Sequence, residues 1–487
     1  MSSPSANGRE TPPPHPGRRA FVLGTGATAA MAFGAGQASA ATPRRAPDTA
    51  DALAATILAG VRPPRFPRRQ VPITDHGAVG DGTTDCTTAI RDAIAACAAA
   101  GGGRVVVPPG TYLTGAIHLR DRIDLHLADG ATLRFSRDPA AYLPAVYTRY
   151  EGMECYNYSP LVYAHGRRNI ALTGRGVLDG RADDTHWWDW SKGENGGPSP
   201  DSYAKKQLIA WADQGVPVEQ RVFGDGHHLR PNMIQFYDCR DVLIEGVTVK
   251  DSPMWNIHPV LCRNVTVRDV TVESPNGPNN DGCNPESCAY VHIKDCTFNT
   301  GDDCIAFKSG RDADGRRVNV PCHHALVEGC EMQDGHGGVT IGSEMSGGVR
   351  DILARDCVMD SPQLDRALRL KSNPLRGGYM TGIAFRDITV GTVADAVLEI
   401  ALNYENVDVG AYYPDVGDIS VRRLTAASGP LAWNLLGNDA NPIHDVTLRD
   451  CVFDGITEGY LQENVTGFEL RDVTVNGTEV NGGGGAS

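Results

Sequence analysis

The chain has 487 residues, 41% of them hydrophobic and 21% charged, with a formal net charge of −14 at pH 7, the balance of a soluble globular protein. That acidity excludes a nucleic-acid binder, because no surplus of Lys and Arg exists to displace phosphate counterions. Beyond the leader no stretch is long and apolar enough to cross a bilayer as a helix, so no membrane partner is expected, and an acidic substrate would have to be held by local cations.

Residues 1–17 are polar and rich in proline, and Arg18-Arg19-Ala20-Phe21-Val22-Leu23 opens a weakly apolar Ala/Gly-rich stretch that ends at Ala38-Ser39-Ala40. Paired arginines before a mild apolar segment and an A-x-A site resemble a twin-arginine export signal over residues 1–40, which implies a secreted protein; the alternative is a disordered basic tail. Arg9, Arg18 and Arg19 against Glu10 give the leader +2, leaving −16 for the remainder. Residues 41–68 read as a linker, 69–480 as one repeat domain and 481–487 as a flexible tail.

The thirteen cysteines are an odd number in a chain too long for a disulfide scaffold. Several recur at equivalent repeat positions (Cys296, Cys330, Cys357, Cys451), so they read as small buried side chains stacked in a core. Cys283 and Cys288 could pair or bind metal, but no second ligand cluster supports a zinc site.

Thr84–Ala99 reads as an amphipathic helix, with Ile90, Ile94 and Cys97 on one side and Gly101-Gly102-Gly103 ending it, placed to cap the first coil of a repeating domain. Pieces of the repeat first show at Ile123–Leu127 and Ile170–Leu178. Asp183–Arg230 interrupts it with Trp187, Trp188, Trp190 and Trp211, a long excursion over one face. The repeat then runs clearly: apolar, any, apolar, any, Asp or Gly, Cys or aliphatic, any, apolar. It occurs at Val242–Val249, Val265–Val272, Val291–Phe298, Ala325–Met332, Ile352–Met359, Ile383–Val390, Ile419–Ala426, Val446–Phe453 and Phe468–Val475, with starts 22 to 36 residues apart. Period-two alternation makes these strands with one buried face. Without intervening helices, and with no coil able to bury its own apolar face, they predict an all-β, right-handed parallel β-helix. A β-sandwich or propeller fits less well, given the irregular spacing and the lack of hairpin turns.

The unusual residues collect after the middle units. Asn279-Asn280-Asp281-Gly282, Gly301-Asp302-Asp303-Cys304, Gly335-His336-Gly337-Gly338 and Arg369-Leu370-Lys371 place Asp281, Asp302, His336 and Arg369 11 to 17 residues after their unit starts. They therefore share about one azimuth on consecutive coils, a ladder ~14 Å long at ~4.8 Å per step. Alternation points Leu370, Val339 and Ile341 inward, and Arg369, Lys371 and His336 outward. A regular strand would bury either Asp302 or Asp303, at a cost if unpaired; a turn at Gly301 is expected to expose both. Neighbouring carboxylates repel, which holds a proton on one beside ionised partners, as glycosidic hydrolysis requires. The competing reading is a calcium site, for which Arg369, Lys371 and His336 are poor company; no metal and no cofactor are expected. Extending the ladder one coil each way adds Trp255, Asn256 and His258 on one side, and Glu399, Asn403 and Tyr404 on the other.

These four motifs, N-x-D, G-D-D, G-H-G and R-x-K in that order, resemble those of the polygalacturonase family, glycoside hydrolase family 28. Gly301–Gly310 resembles its central block, and Asp81–Asp85 through Val105–Pro108 resembles the first coil common to pectin-active β-helices. The resemblance spans roughly residues 70 to 475; Asn280 stands for the usual Thr and Leu370 for Ile, and neither change removes a functional group. It implies that Asp302 is the general acid, that Asp281 and Asp303 activate the attacking water with inversion, that His336 tunes the acid, and that Arg369 and Lys371 hold a galacturonate carboxylate. Asn279, Lys308, Trp255, His258 and Tyr404 join as substrate-binding candidates. The ~5 Å ladder step between Asp281 and Asp302 by itself corresponds to retaining geometry; inversion is implied by the resemblance alone.

The implied substrate is a pectic polysaccharide or oligogalacturonide, cut by a monomeric enzyme. If the tryptophan-rich excursion lies across the groove, it closes one side and leaves a pocket for a chain end, hence exo action. Rhamnogalacturonan- and xylogalacturonan-cleaving hydrolases are the near alternatives. A pectate lyase, with calcium and an arginine base, and a non-catalytic β-helix carbohydrate-binding protein are the remote ones.

Overall fold

A computed structural model describes residues 49–193 and 197–480; the expected leader and C-terminal tail lie outside them. Nearly every strand pairs in parallel with the strand one coil away, in a 27-stranded sheet that winds into a right-handed parallel β-helix.

The repeat units stack in the register that their alignment implies. Val242, Val265, Val291, Ala325, Ile352, Ile383, Ile419, Val446 and Phe468 are successive partners in one ladder. The fifth position explains its own composition. Gly246, Asp269, Asp295, Gly329, Asp356, Asp387, Asp450 and Asp472 all have φ between 50° and 78°. This left-handed bend divides each unit into two short strand segments, and Gly and Asp adopt it more readily than other residues. Arg423 takes the same bend (φ 53°) in the one unit without Asp or Gly there. At the sixth position Cys296, Cys330, Cys357 and Cys451 are buried, and all thirteen cysteines are free and buried. Cys283 and Cys288 are therefore core residues, not a disulfide.

Helix α1 (Thr49–Gly60) lies in the stretch read as a linker. Its Ala54 and Ile57 bury Leu326 and Leu353, which face outward from the sheet, and Asp51 pairs with Arg386 at 2.6 Å. Helix α2 (Thr87–Ala99) starts three residues later than the sequence pattern suggests. Asp85 accepts the Thr87 N–H at 2.8 Å, and the preceding Asp81–Asp85 is held as a strand against Gly110–Thr114. Ile90, Ile94 and Cys97 of α2 are buried against Val105, Val107 and Ile123, closing the first coil.

The excursion folds as two short turns and helix α3 (Pro200–Asp213). Trp187 and Trp188 join the main core, with Trp187 edge-on to Tyr142 at 5.5 Å. Helix α3 buries Ala204, Leu208 and Ala212 in a second core with Tyr150, Met153, Phe223, Met254 and Trp255. Tyr150 and Met153 flank the tip of an antiparallel hairpin, Val146–Tyr150 with Met153–Asn157. Hairpin and helix together thus sit on the Trp255 coil, one coil before Asp281.

Candidate active site

The groove is a second parallel ladder. Strands Ile305–Phe307, Val339–Gly342, Arg366–Lys371 and Ala396–Ala401 stack so that Ala306, Thr340, Arg369 and Glu399 form one row. The flanking rows, Ile305-Val339-Leu368-Leu398 and Phe307-Ile341-Leu370-Ile400, are core. The pleat thus sends Arg369 and Lys371 outward on either side of buried Leu370, as alternation requires. In the preceding coil Cys283 and Glu286 hold the register through single bridges to Ile305 and Lys308.

Three carboxylates form the floor. Asp281, Asp302 and Asp303 offer oxygens that lie within 4.8 Å of one another. Each has its own cation: Lys308 Nζ is 3.5 Å from Asp281, His336 Nδ1 3.2 Å from Asp302, and Lys371 Nζ 2.7 Å from Asp303. Asn284 donates to Asp281 at 2.7 Å, and Thr340 to Asp303 at 3.1 Å. Were a metal to bind here, these three carboxylates would hold it, in competition with cations already seated.

The two adjacent aspartates are not equally open, contrary to the expectation that a turn at Gly301 exposes both. The Asp303 side chain is 1% exposed and that of Asp302 17%. Gly301 and Asp302 lie in a bend between the strands Thr297–Thr300 and Ile305–Phe307, but Asp303 turns inward, and the cost of burying it is offset by Lys371, by Arg369 at 3.4 Å and by Thr340. Arg369 also reaches Glu399 at 3.3 Å. Both predicted carboxylate readers are therefore already engaged with the floor.

The charges of the cluster differ accordingly. Burial, then repulsion from Asp302, pushes Asp281 up to about 8, against the pull of Lys308. Burial would also raise Asp302, but the His336 imidazolium, with Lys371 and Lys308 behind it, holds it below the usual carboxylate range. Asp303 lies low for the parallel reason, with Lys371 overriding its burial. Asp302 in turn raises His336. The arrangement is one proton shared by three coupled carboxylates, beside a protonated histidine.

A cleft of about 1060 Å³ opens over this floor. Asp281, Asp302, Asp303, His336, Arg369, Lys371, Asn279, Lys308, Trp255 and Tyr404 all line it. Lys308 sits 4.6 Å above the Trp255 ring and Lys371 5.1 Å from that of Tyr404. Asn279, at φ 54°, is fixed by Arg230 of the excursion at 2.7 Å. His258 does not reach the cleft. It is fully buried, with Nε2 on Glu286 at 2.7 Å and Nδ1 beside Asn232 and Gln235 at 3.0 Å; its ring supports Trp255 edge-on at 4.8 Å. Asn256 is likewise buried and donates to the Asp281 backbone carbonyl at 3.0 Å.

The sequence pattern did not reveal the far wall. Glu344 meets Lys308 at 2.9 Å. Glu151, at the hairpin tip, meets Lys205 of α3 at 2.6 Å and Arg311 at 2.9 Å, and all of these line the cleft. Glu151 and Lys205 lie outside the repeat, so no ladder offset marks them. Glu344 and Arg311 come just after groove strands and carry only a weak offset signal.

Comparison with known proteins fits this geometry. The first coil, residues 70–126, matches the model described as rhamnogalacturonase A/epimerase, pectate lyase-like. A crystal structure of a hyperthermoactive exopolygalacturonase from Thermotoga maritima is 46% identical, with TM-score 0.86, covering 88% of this chain and 97% of that one. A probable polygalacturonase of Vitis vinifera is 29% identical over 393 residues, 78% of this chain and 73% of its own length. An exo-poly-alpha-D-galacturonosidase of Dickeya chrysanthemi is 30% identical over 351 residues, 68% of this chain and 57% of its own length. The model for glycosyl hydrolases family 28 matches residues 150–467, the stretch that carries every carboxylate of the floor, and this chain belongs to that family of glycoside hydrolases.

Proposed function

We propose that the protein is an exo-acting polygalacturonase that hydrolyses α-galacturonosyl linkages of pectin. The observation that carries this reading is the enclosure of the carboxylate floor: α3 and the hairpin pack over the Trp255 coil, so the cleft is walled on the side where a polymer would have to continue. The similarity to the exopolygalacturonase at 46% identity supports it.

In this reading Asp302, the most open of the three carboxylates, delivers the cluster's proton to the leaving oxygen. His336 stabilises the carboxylate that remains, which makes Asp302 a stronger acid as the bond breaks. Neither floor partner is a free nucleophile. Asp281 holds a proton up to about pH 8, and Asp303 has both oxygens engaged, by Lys371 and by Arg369 with Thr340. When the shared proton passes to Asp302, Asp281 is left ionised beside Lys308 and can, with Asp303, take a proton from the attacking water, hence inversion, although the oxygens lie closer together than the spacing general for inverting enzymes. Arg369 and Lys371 then orient Asp303 and meet the substrate carboxylate from the same positions, beside Tyr404. Proton NMR of the first-formed anomer decides between inversion and retention.

Product profiling on polygalacturonate against rhamnogalacturonan, with and without chelator, tests the substrate. Saturated galacturonate products from polygalacturonate, insensitive to chelator, are expected; ultraviolet-absorbing unsaturated products would mean a lyase, and rhamnogalacturonan preference the sister activity. We further read Arg18-Arg19 and Ala38-Ser39-Ala40 as twin-arginine export to the exterior, where pectin is found, and the enzyme as a monomer. Processing after Ala40 in the culture medium and a monomer mass by light scattering are the corresponding checks.

A further inference from the structure

We propose that Lys205, with Arg311 and Glu151, forms a binding site for the carboxylate of the chain-terminal uronic-acid sugar; the proposal rests on the exo reading and names what its closed end recognises. The cations expected to read substrate carboxylates are largely consumed by the floor. Lys371 and Arg369 are 6% and 10% exposed and lie on Asp303. Lys308 is buried between Asp281 and Glu344. Lys205 differs. Its side chain is 33% exposed, and one of the three N–H bonds of its ammonium goes to Glu151 at 2.6 Å.

The surroundings hold Lys205 in place. Its helix, α3, is fixed by Ala204, Leu208 and Ala212 in the core shared with Trp255. Glu151 is set by the hairpin tip, where the Gly152 carbonyl accepts the Arg311 N–H at 3.1 Å. Arg311 reaches the same Glu151 oxygen at 2.9 Å. Two cations thus converge on one carboxylate, and Asp312, the other acid on Arg311, is itself held by Arg376 at 2.8 Å. A uronate carboxylate entering beside Glu151 would meet the outer N–H groups of Lys205, while Glu151 accepts a neighbouring sugar hydroxyl. The walled end would then select a charged terminal sugar over an esterified or neutral one.

The test uses the full-length enzyme, its Lys205→Met and Lys205→Arg variants and the Lys205→Met/Glu151→Gln double variant. Calorimetry with free galacturonate and with galactose is paired with kcat and KM on trigalacturonate. Loss of one charge-assisted contact should weaken galacturonate binding by about tenfold or more, raise KM to match and leave kcat within a few-fold. Galactose binding should not change, and Lys205→Arg should keep most of the affinity. The proposal falls if wild-type enzyme does not prefer galacturonate to galactose, if Lys205→Met binds galacturonate normally, or if both sugars lose equally. It also falls if the double variant regains full affinity, since Lys205 would then serve only to neutralise Glu151. Wild-type failure to cleave trigalacturonate would instead overturn the exopolygalacturonase reading itself.

Discussion

Ile305, Val339, Leu368 and Leu398 stand one residue before Ala306, Thr340, Arg369 and Glu399 in the same four strands. The first row is sealed in the core, while in the second Arg369 lines the groove and Thr340 and Glu399 hold its charged groups in place. Stacking serves the two rows by different physics. Inward, identical spacing lets aliphatic groups fill a column whose worth depends on volume. Outward, the same spacing brings Asp303, Lys371, Arg369 and Glu399 within 3.4 Å of their neighbours, and the row is worth having only if every charge is matched. An inward residue can change size at a graded cost. An outward one cannot change charge without orphaning another.

The comparison breaks most sharply at Asp302. Asp302→Asn keeps the shape of the outward row but removes the proton carrier, so kcat should fall by about 10²–10⁴-fold with substrate binding little changed. Normal turnover by the folded variant would remove Asp302 from its role. Next, Lys371→Ala takes the nearest cation from buried Asp303, leaving it Arg369 and Thr340, and should cost up to about 3–5 kcal/mol of stability in urea denaturation, besides activity. Adding Asp303→Asn should recover much of that stability but none of the activity, separating pairing from chemistry. Ile293→Ala, in the inward row of the opposite face, should cost about 2–5 kcal/mol while the kcat of the folded enzyme stays within a few-fold. A collapse of kcat there would show that the two faces are not independent.

The smallest effect is in pH. The folded-state pKa of Asp281 is raised, so its proton is present below about 8 and lost above it. The kcat/KM should therefore decline as pH rises through about 8, while its stability contribution, fully present below the ordinary carboxylate range, should be lost progressively as pH rises from that range to about 8. Asp281→Asn should abolish that falling limb in stability measurements. An unchanged limb would assign the proton elsewhere.

Most of the coil architecture was legible because nearly every unit repeats three signals at once: period-two burial, a left-handed Asp or Gly, and a Cys or aliphatic sixth residue. Val242 through Phe468 consequently fall into register as aligned. The floor was legible for the same reason, since Asp281, Asp302, His336 and Arg369 sit at recurring offsets. Legibility ended where offset ceased to mean exposure. His258 shares the azimuth of the groove but lies under Trp255, because the hairpin brings Arg149 over Glu286 at 2.9 Å and encloses them. Asp303 was expected to be open because its cations, Arg369 and Lys371, lie two coils away, beyond what its local sequence shows. Glu151, Lys205 and α1 reach their places through docking of non-repeating segments, and only long-range contacts fix those.

The closed end of the cleft is the claim on which substrate, product and mechanism all depend, and viscosity monitored against reducing-end release on polygalacturonate tests it most directly. A chain-end enzyme should release abundant reducing ends, as short galacturonates from the first minutes, while viscosity falls slowly. A steep loss of viscosity at low bond cleavage would show polymer threading through the Trp255 end and would contradict the account.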